Sequence, residues 1–415
     1  MKPALLALCC VTSMALLATL PAQAAHGRKH ASKEPAKKPV LRDGDAEVRL
    51  IEVYRLLGQA KSRDALARAE SLVKDHPNFQ LAQLVYGDLL AAQARPVRML
   101  GDVAESGLKF NGQLAELREE SQLRLRALRE RPPPDSVPAQ FLQLSPQNRH
   151  AIAIDTSRAR LYLFENTSTG LKLLADYYIS VGKSGVDKSL EGDLRTPLGV
   201  YFVTSNLDPK SLKDFYGAGA LPINYPNAYD ARRGKTGSGI WLHGSPPSQF
   251  ARAPKATDGC VVLANPDLQR VIRTVAVRTT PVVIASSLNW VAQHQLQPES
   301  QKFAGVLQSW RAAKASGDPA RLLGFYAADF NGNGKSLAEW APTLKQEADR
   351  SRGRNIQMKD LSYLHWSSDR SETMVVTFGE VTDGDRTGPV KRQYWLRQGT
   401  GSGSQWKIFF EGVIG

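Results

Sequence analysis

Residues 240–265 constrain this chain more than any other stretch. They carry His243-Gly244 and, 17 positions after the histidine, Cys260, preceded by Thr257-Asp258-Gly259. Cysteine is scarce. Of three in 415 residues, Cys9 and Cys10 lie in an apolar N-terminal run that reads as an export signal. Removal of that run leaves one thiol and no disulfide partner. A lone thiol in an exported protein is either buried and inert or reactive by purpose. Two patterns favour reactivity. Gly259-Cys260 stands between polar Thr257-Asp258 and apolar Val261-Val262-Leu263, as a loop feeding a strand does. His243 closes the apolar run Ile240-Trp241-Leu242, the end of a second predicted strand. Two strand ends can hold a thiol against an imidazole, and the imidazole can take the thiol's proton. A zinc site would need further convergent ligands, which the sequence does not supply. No metal and no cofactor are expected.

The export reading rests on residues 1–24. Lys2 gives the positive start, residues 4–20 the apolar stretch, and Ala22-Gln23-Ala24 the small-x-small end that a signal peptidase reads. The alternatives are a retained anchor helix and a lipoprotein signal. The second is opposed by the large Leu8 before Cys9. Residues 25–45 form a basic leader, with Arg28, Lys29, Lys33, Lys37, Lys38 and Arg42 against Glu34, too polar to bury a core. The net charge of +14 suits attraction to an anionic cell wall or membrane surface. There is no nucleic-acid motif. No other apolar run reaches about 18 residues, so no integral membrane span is expected after signal cleavage. The expected location is the periplasm or cell envelope.

Residues 46–131 read as helical. Leu50, Val53 and Leu57, then Leu66, Ala69, Leu72 and Val73, follow helical spacing, and Asp75-His76-Pro77-Asn78 breaks it before Leu81, Leu84, Val85 and Leu89 resume it. The hairpin resembles one tetratricopeptide-like unit, too little for a free-standing solenoid. Its apolar face must therefore pack on the next domain or on a second copy of the chain, giving a homodimer. Residues 132–147 open with Pro132-Pro133-Pro134 and read as a proline-rich linker. From residue 148 the period becomes strand-like, with β-rich runs at 150–155, 160–165, 171–181, 199–204 and 281–285. Residues 148–287 are expected to be a mainly β sandwich or barrel. Residues 298–415 begin with amphipathic helix at 300–315 and 320–326. Four strands follow, at 358–364, 372–382, 391–397 and 405–410, an α+β pattern. The fold class is thus multidomain: a helical N-terminal region, a mainly β domain and an α+β domain.

The motifs resemble those of the L,D-transpeptidase (YkuD) catalytic domain family. The resemblance is carried by His243-Gly244, by Thr257-Asp258-Gly259-Cys260-Val261, by Arg195-Thr196-Pro197-Leu198-Gly199, and by Ala220 to Asn227, and it spans roughly residues 148–287. It implies a β-sandwich domain. The C-terminal pattern resembles the NTF2-like (SnoaL-like) fold, which implies a concave pocket. Asp329, Trp340 and His365 are candidates to line it, with core or surface roles weighed above that. The three-part order is similar to that of cell-shape-determining L,D-carboxypeptidases.

The resemblance implies a site and a substrate. Cys260 is the expected nucleophile and His243 the general base and acid, oriented by the backbone carbonyl of Gly244. The amide of Gly259, with that of Cys260, is the expected oxyanion donor. Arg195, Tyr225, Trp241, Ser245 and Asp258 are candidate substrate contacts. The family partner is the peptidoglycan stem tetrapeptide, whose terminal D-alanine leaves as a thioester forms. Transfer to an amine makes a cross-link, and transfer to water makes a tripeptide. A non-catalytic wall scaffold is the reading from another class. Two departures stand out. Asp258 replaces the histidine that many relatives carry before Gly-Cys, and Val262-Leu263-Ala264-Asn265 replaces a segment in which many have arginine. Asp258 is free to orient a loop amide or an acceptor's ammonium, or to bond local backbone.

Overall fold

The computed structural model describes residues 44–102, 111–368, 371–399 and 401–414. The expected signal peptide and nearly all of the expected basic leader lie outside the described residues. Among the described residues no helix is long and apolar enough to cross a membrane.

The helical region consists of α1 (Asp45–Gly58), α2 (Ser62–Asp75), α3 (Gln80–Ala91) and α4 (Asn111–Arg129). Leu50, Val53, Leu72, Leu81 and Val85 form its core. That core does not end at the helices: it takes in Phe250 and Ala264 from the domain that follows. Packing on the next domain is therefore what the apolar face does. A buried ion network seals the same junction. Glu47 of α1 accepts from Arg160 Nη1 at 2.9 and 2.8 Å and pairs with Arg124 of α4 at 3.0 Å. Arg160 also pairs with Asp176 at 2.5 Å, and Arg124 with Glu120 at 2.7 Å. The two guanidinium groups hold the Glu47 carboxyl below its ordinary range even though burial alone would raise it. Beside them Asp267 is buried, and burial followed by the Glu47 charge pushes it up to about 7.

Residues 132–147 depart from the expected spacer. Val137, Phe141 and Leu142 are apolar and find cores to enter, so the stretch becomes a buried strap. Its β1 (Ser136–Pro138) pairs antiparallel with β11 (Trp290–Ala292). Gln143 bridges to Tyr363 of the C-terminal domain.

The central domain holds β2 (His150–Asp155), β3 (Arg160–Thr167), β4 (Gly170–Gly182), β5 (Gly199–Phe202), β6 (Ala220–Pro222), α5 (Ala228–Arg232), β7 (Trp241–Gly244), β8 (Lys255–Thr257), β9 (Val261–Leu263), α6 (Asn265–Thr274) and β10 (Pro281–Ala285). These strands make one nine-stranded mixed sheet in the order β5-β10-β2-β3-β4-β9-β7-β6, with β8 beside β4. The mainly β expectation holds, and its form is a single curled sheet. A bridge from Val203 to Ile223 ties the residues just past the two end strands. Both faces of β2 are covered, which explains its unbroken apolar sequence. Ile152 and Ile154 enter the core inside the curl. Ala151 and Ala153 enter a second core shared with Leu364, Trp366, Tyr394 and Phe409 of the C-terminal domain.

That last domain contains α7 (Gln297–Ala315), α8 (Pro319–Leu323), the short pair β12 (Asn331–Gly332) and β13 (Lys335–Ser336), α9 (Leu337–Ser351), and a four-stranded antiparallel sheet. The sheet runs β14 (Ile356–Ser368), β15 (Ser371–Thr382), β16 (Val390–Gln398) and β17 (Gln405–Val413) in sequence order. Phe303, Trp310, Leu344, Phe378 and Trp395 form the core between helices and sheet. Helix α9 was not legible as a helix, since Pro342 interrupts its pattern. Ser336 nonetheless starts it, in a reciprocal cap with Glu339.

Candidate active site

Strands β7 and β9 lie side by side and parallel, which brings the two ends of the 240–265 stretch together. His243 pairs in register with Val262, two residues beyond Cys260. Cys260 directly precedes β9, and extending the register by one residue sets the thiol on the face of the pair that carries the imidazole. Parallel neighbours need a crossover, and here residues 245–260 supply it. The excursion is pinned rather than loose. Asn78 Nδ2 donates to Pro247 O at 3.0 Å, and Phe250 N donates to Asn78 O at 3.0 Å. The Phe250 ring stacks 4.4 Å from Phe79.

His243 is 1% exposed. Its Nδ1 lies 2.8 Å from Gly244 O. A carbonyl only accepts, so Nδ1 carries the hydrogen and Nε2 of the neutral ring is the base. Burial draws the imidazole down to about 4, against the Gly244 bond that favours the charged form. Cys260 is the free cysteine of the described residues. Burial raises its thiol, while the Trp241 amide and the Arg252 charge oppose that rise. The S–H donates to Gly239 O at 3.4 Å. At neutral pH the resting pair is therefore a thiol and a neutral imidazole. Phe215 and Tyr216 flank His243 with ring centroids at 5.9 and 5.1 Å.

The surrounding backbone tolerates little change. Gly259 has φ +123°, and a Cβ there would stand 2.7 Å from Arg195 O. A Cβ on Gly244 would stand 2.1 Å from Asn265 Oδ1. Two residues that sequence reasoning did not single out hold these contacts. Buried Thr196 accepts from Gly182 N at 2.9 Å and donates to Gly259 O at 3.0 Å. Asn265 accepts from Ala218 N at 2.8 Å and donates to Ser245 O at 2.9 Å. Thr196 lies within the Arg195-Thr196-Pro197 motif, so the signal for it was present in the sequence.

The structure buries two of the expected contacts, Tyr225 and Ser245, and places the others as follows. Tyr225 is buried in the core and donates to Thr236 O at 3.1 Å, so it cannot line a groove. Ser245 is fully buried and donates to Leu263 O at 3.1 Å, joining β7 to β9. Arg195 is exposed and donates to Val186 O at 3.1 Å, a loop-fastening bond. The Gly259 amide donates to Thr257 Oγ1 at 3.1 Å, so it is engaged within its own loop. Asp258 pairs with Lys183 Nζ at 2.9 Å. Trp241 is half-buried, with its ring 4.8 Å from Tyr216.

A cavity of about 710 Å³ lies between the helices and this site, lined by Gln80, Gln83, Gln113 and Glu116 on one side and Phe215 and Arg252 on the other. In the C-terminal domain Asp329, Trp340 and His365 do not converge. Asp329 pairs with Arg232, Trp340 packs on Phe330, and His365 pairs with Glu372. A buried polar cluster lies elsewhere in that domain. Lys314 meets Glu380 at 2.6 Å, and Lys391 meets Glu347 at 2.8 Å and Glu411 at 3.3 Å. Among the described residues no group of three or more His, Cys, Asp or Glu could hold a metal ion.

A curled sheet with an imidazole on one strand and a thiol directly before its parallel neighbour defines a class, and residues 149–284 match the L,D-transpeptidase catalytic domain, YkuD. The chain carries that domain, the domain of cysteine-type enzymes of peptidoglycan. It also carries, at residues 302–412, the NTF2-like domain named for the C-terminus of Cds6. Among solved structures it is similar to Bd1075 of Bdellovibrio bacteriovorus, with 28% identity and a TM-score of 0.56 over 68% of this chain and 98% of that one. It shares the fold of the helical cell shape determining protein Pgp2 from Campylobacter jejuni, with 22% identity and a TM-score of 0.52 over 66% of this chain and 95% of that one. No curated protein matches the chain.

Proposed function

We propose that this chain is an L,D-carboxypeptidase of the cell envelope that trims the peptidoglycan stem tetrapeptide to a tripeptide through a thioester on Cys260. The observation that carries the reading is the shared face of His243 and Cys260, with Nε2 left as the base. As Cys260 Sγ attacks the carbonyl of the third residue, His243 Nε2 takes the thiol proton. The Cys260 amide is assigned the oxyanion, since that of Gly259 is engaged. His243 then returns the proton to the departing amine, and D-alanine leaves. Water, deprotonated by His243, attacks the thioester and restores the thiol. Because the resting thiol keeps its proton, His243 acts as a base during attack rather than as half of a standing ion pair.

The acceptor is the finer point. Lys183 occupies Asp258 at 2.9 Å, the carboxylate otherwise available to an incoming ammonium. The Arg252 charge, which acts on the thiol, disfavours a cationic acceptor and favours water. Transpeptidation to an amine is the second reading, favoured by the size of the cavity and by Glu116 on its wall. Export by a cleavable signal and a periplasmic location fit such a substrate. Association of two copies through the helices rests on exposed Leu57, Leu90 and Met99 and is checked by sedimentation.

The test is mass analysis of disaccharide-tetrapeptide incubated with the mature protein beside Cys260→Ala. Loss of one alanine residue to give monomeric tripeptide is expected. A dimer lacking one alanine would establish transpeptidation. Equal inertness of both proteins without an adduct on Cys260 would leave a wall-binding scaffold.

A further inference from the structure

Arg252 lies on the excursion between His243 and Cys260. Its guanidinium carbon sits 4.3 Å from the centroid of the Phe215 ring, and that ring is 5.9 Å from His243. Two buried arginines are paired with carboxylates, Arg124 with Glu47 and Glu120 and Arg160 with Glu47 and Asp176, and buried Arg392 donates its Nε to Thr377 Oγ1. Arg252 is different. Its Nε is buried with no hydrogen-bond partner, and among the described residues the side chain forms no salt bridge. Asp258, the carboxylate whose charge acts on it, is held by Lys183. A half-buried cation without a counter-ion costs free energy, and an arriving anion offsets that cost. Burial draws the guanidinium below its ordinary pKa, in keeping with that deficit.

The place of the group defines the anion. Arg252 faces the cavity of about 710 Å³ and acts electrostatically on both Cys260 and His243. An aromatic ring beneath a guanidinium leaves its donor edge open to a carboxylate, which it can hold through two parallel bonds. In a peptide's last residue the carboxylate carbon is two bonds from the amide nitrogen. Arg252 and Phe215 line one wall of the cavity and the Phe215 ring flanks His243, so the departing residue's carboxylate can meet the guanidinium there.

We infer that Arg252 is the specificity-determining residue for a free terminal α-carboxylate, the one carried by the departing amino acid. This rests on the tetrapeptide-cleaving function proposed above and adds to it a reason for acting at chain ends. The carboxylate forms no covalent bond and changes no proton; it fixes the leaving residue while His243 protonates its nitrogen.

The experiment measures binding calorimetrically in the Cys260→Ala protein, which cannot turn over. The probes are a stem tetrapeptide ending in free D-alanine and the same peptide ending in D-alanine amide. The free acid is expected to bind about 10- to 100-fold more tightly, the worth of a charge-assisted bond. Arg252→Gln on that background should erase the preference, and Arg252→Lys should restore part of it. In the active protein Arg252→Gln should raise KM for the acid more than it lowers kcat. Equal binding of the two peptides, or a preference that survives Arg252→Gln, would overturn the inference even if the tetrapeptide is cleaved. A preference that holds while the wild type cleaves nothing would overturn the proposed function and leave the carboxylate subsite standing.

Discussion

Replacing Glu47 by glutamine tests whether the helical region and the catalytic domain are one cooperative unit. The carboxylate receives two contacts from Arg160, at 2.9 and 2.8 Å, and one from Arg124 at 3.0 Å, all buried. Breaking a buried ion pair by removing one partner costs about 3–5 kcal/mol. Here Arg160 keeps Asp176 and Arg124 keeps Glu120, so neither cation is stranded and the cost falls at the low end, about 3 kcal/mol. Asp267 responds as well. The Glu47 charge helps to raise its pKa, so the substitution should let it ionise more readily. The assay is urea unfolding at pH 7 followed by far-ultraviolet circular dichroism and by tryptophan fluorescence. Both transitions should shift together to lower urea with unchanged slope. Glu52→Gln, which removes an exposed partner of Arg55, is the control and should leave the midpoint where it was. A Glu47→Gln midpoint equal to the control's, or a loss confined to the helical signal, would refute the reasoning.

Other expectations follow from the same geometry. Asp267 has its pKa raised from 3.8 to about 7, so the folded state keeps a proton that the unfolded state has lost. Its contribution is fully present below about pH 4 and lost as pH rises through 7, and Asp267→Asn should stabilise the protein at pH 8 by up to about 4 kcal/mol, read from thermal melts at pH 5 and 8. His243 has its pKa lowered to about 4, so kcat/KM should stay level from pH 7 to 5 and fall on a limb near 4; a limb near 6.5 would contradict its burial. The same depression means that the folded state holds fewer protons than the unfolded one, so stability drops as pH falls from 6.5 towards 4. Thr196→Val strips the Gly182 amide and the Gly259 carbonyl of one partner each, and should cost about 1–3 kcal/mol per buried group together with a fall in kcat larger than any change in KM.

The strands of the central domain were legible because their residues alternate between two buried faces, as Ala151, Ile152, Ala153 and Ile154 do. His243 and Cys260 were legible because a lone thiol and a strand-end histidine are rare enough to stand out. Arg252 was not, since nothing in one sequence tells an arginine with a counter-ion from one without. Nor were Thr196 and Asn265, whose importance lies in backbone groups 14 to 63 positions away. Tyr225 and Ser245 were misplaced for a related reason: a hydroxyl near a catalytic motif reads the same whether it faces a cleft or a buried carbonyl. The strap at 132–147 misled because consecutive prolines outweighed Phe141 and Leu142 just beyond them.

The clasp of Asn78, Phe79 and Phe250 on the excursion between His243 and Cys260 bears on how this protein can be cut. Domain boundaries drawn along the chain would license expressing residues 148–287 alone. Such a fragment would carry Phe250 and Ala264 bare to water, and Arg160 without Glu47. The excursion that separates His243 from Cys260 would also have lost its two bonds to Asn78. The smallest portable form of this site is therefore expected to begin at α1, and the helices belong to its minimal recipe as much as the segment that bears the thiol.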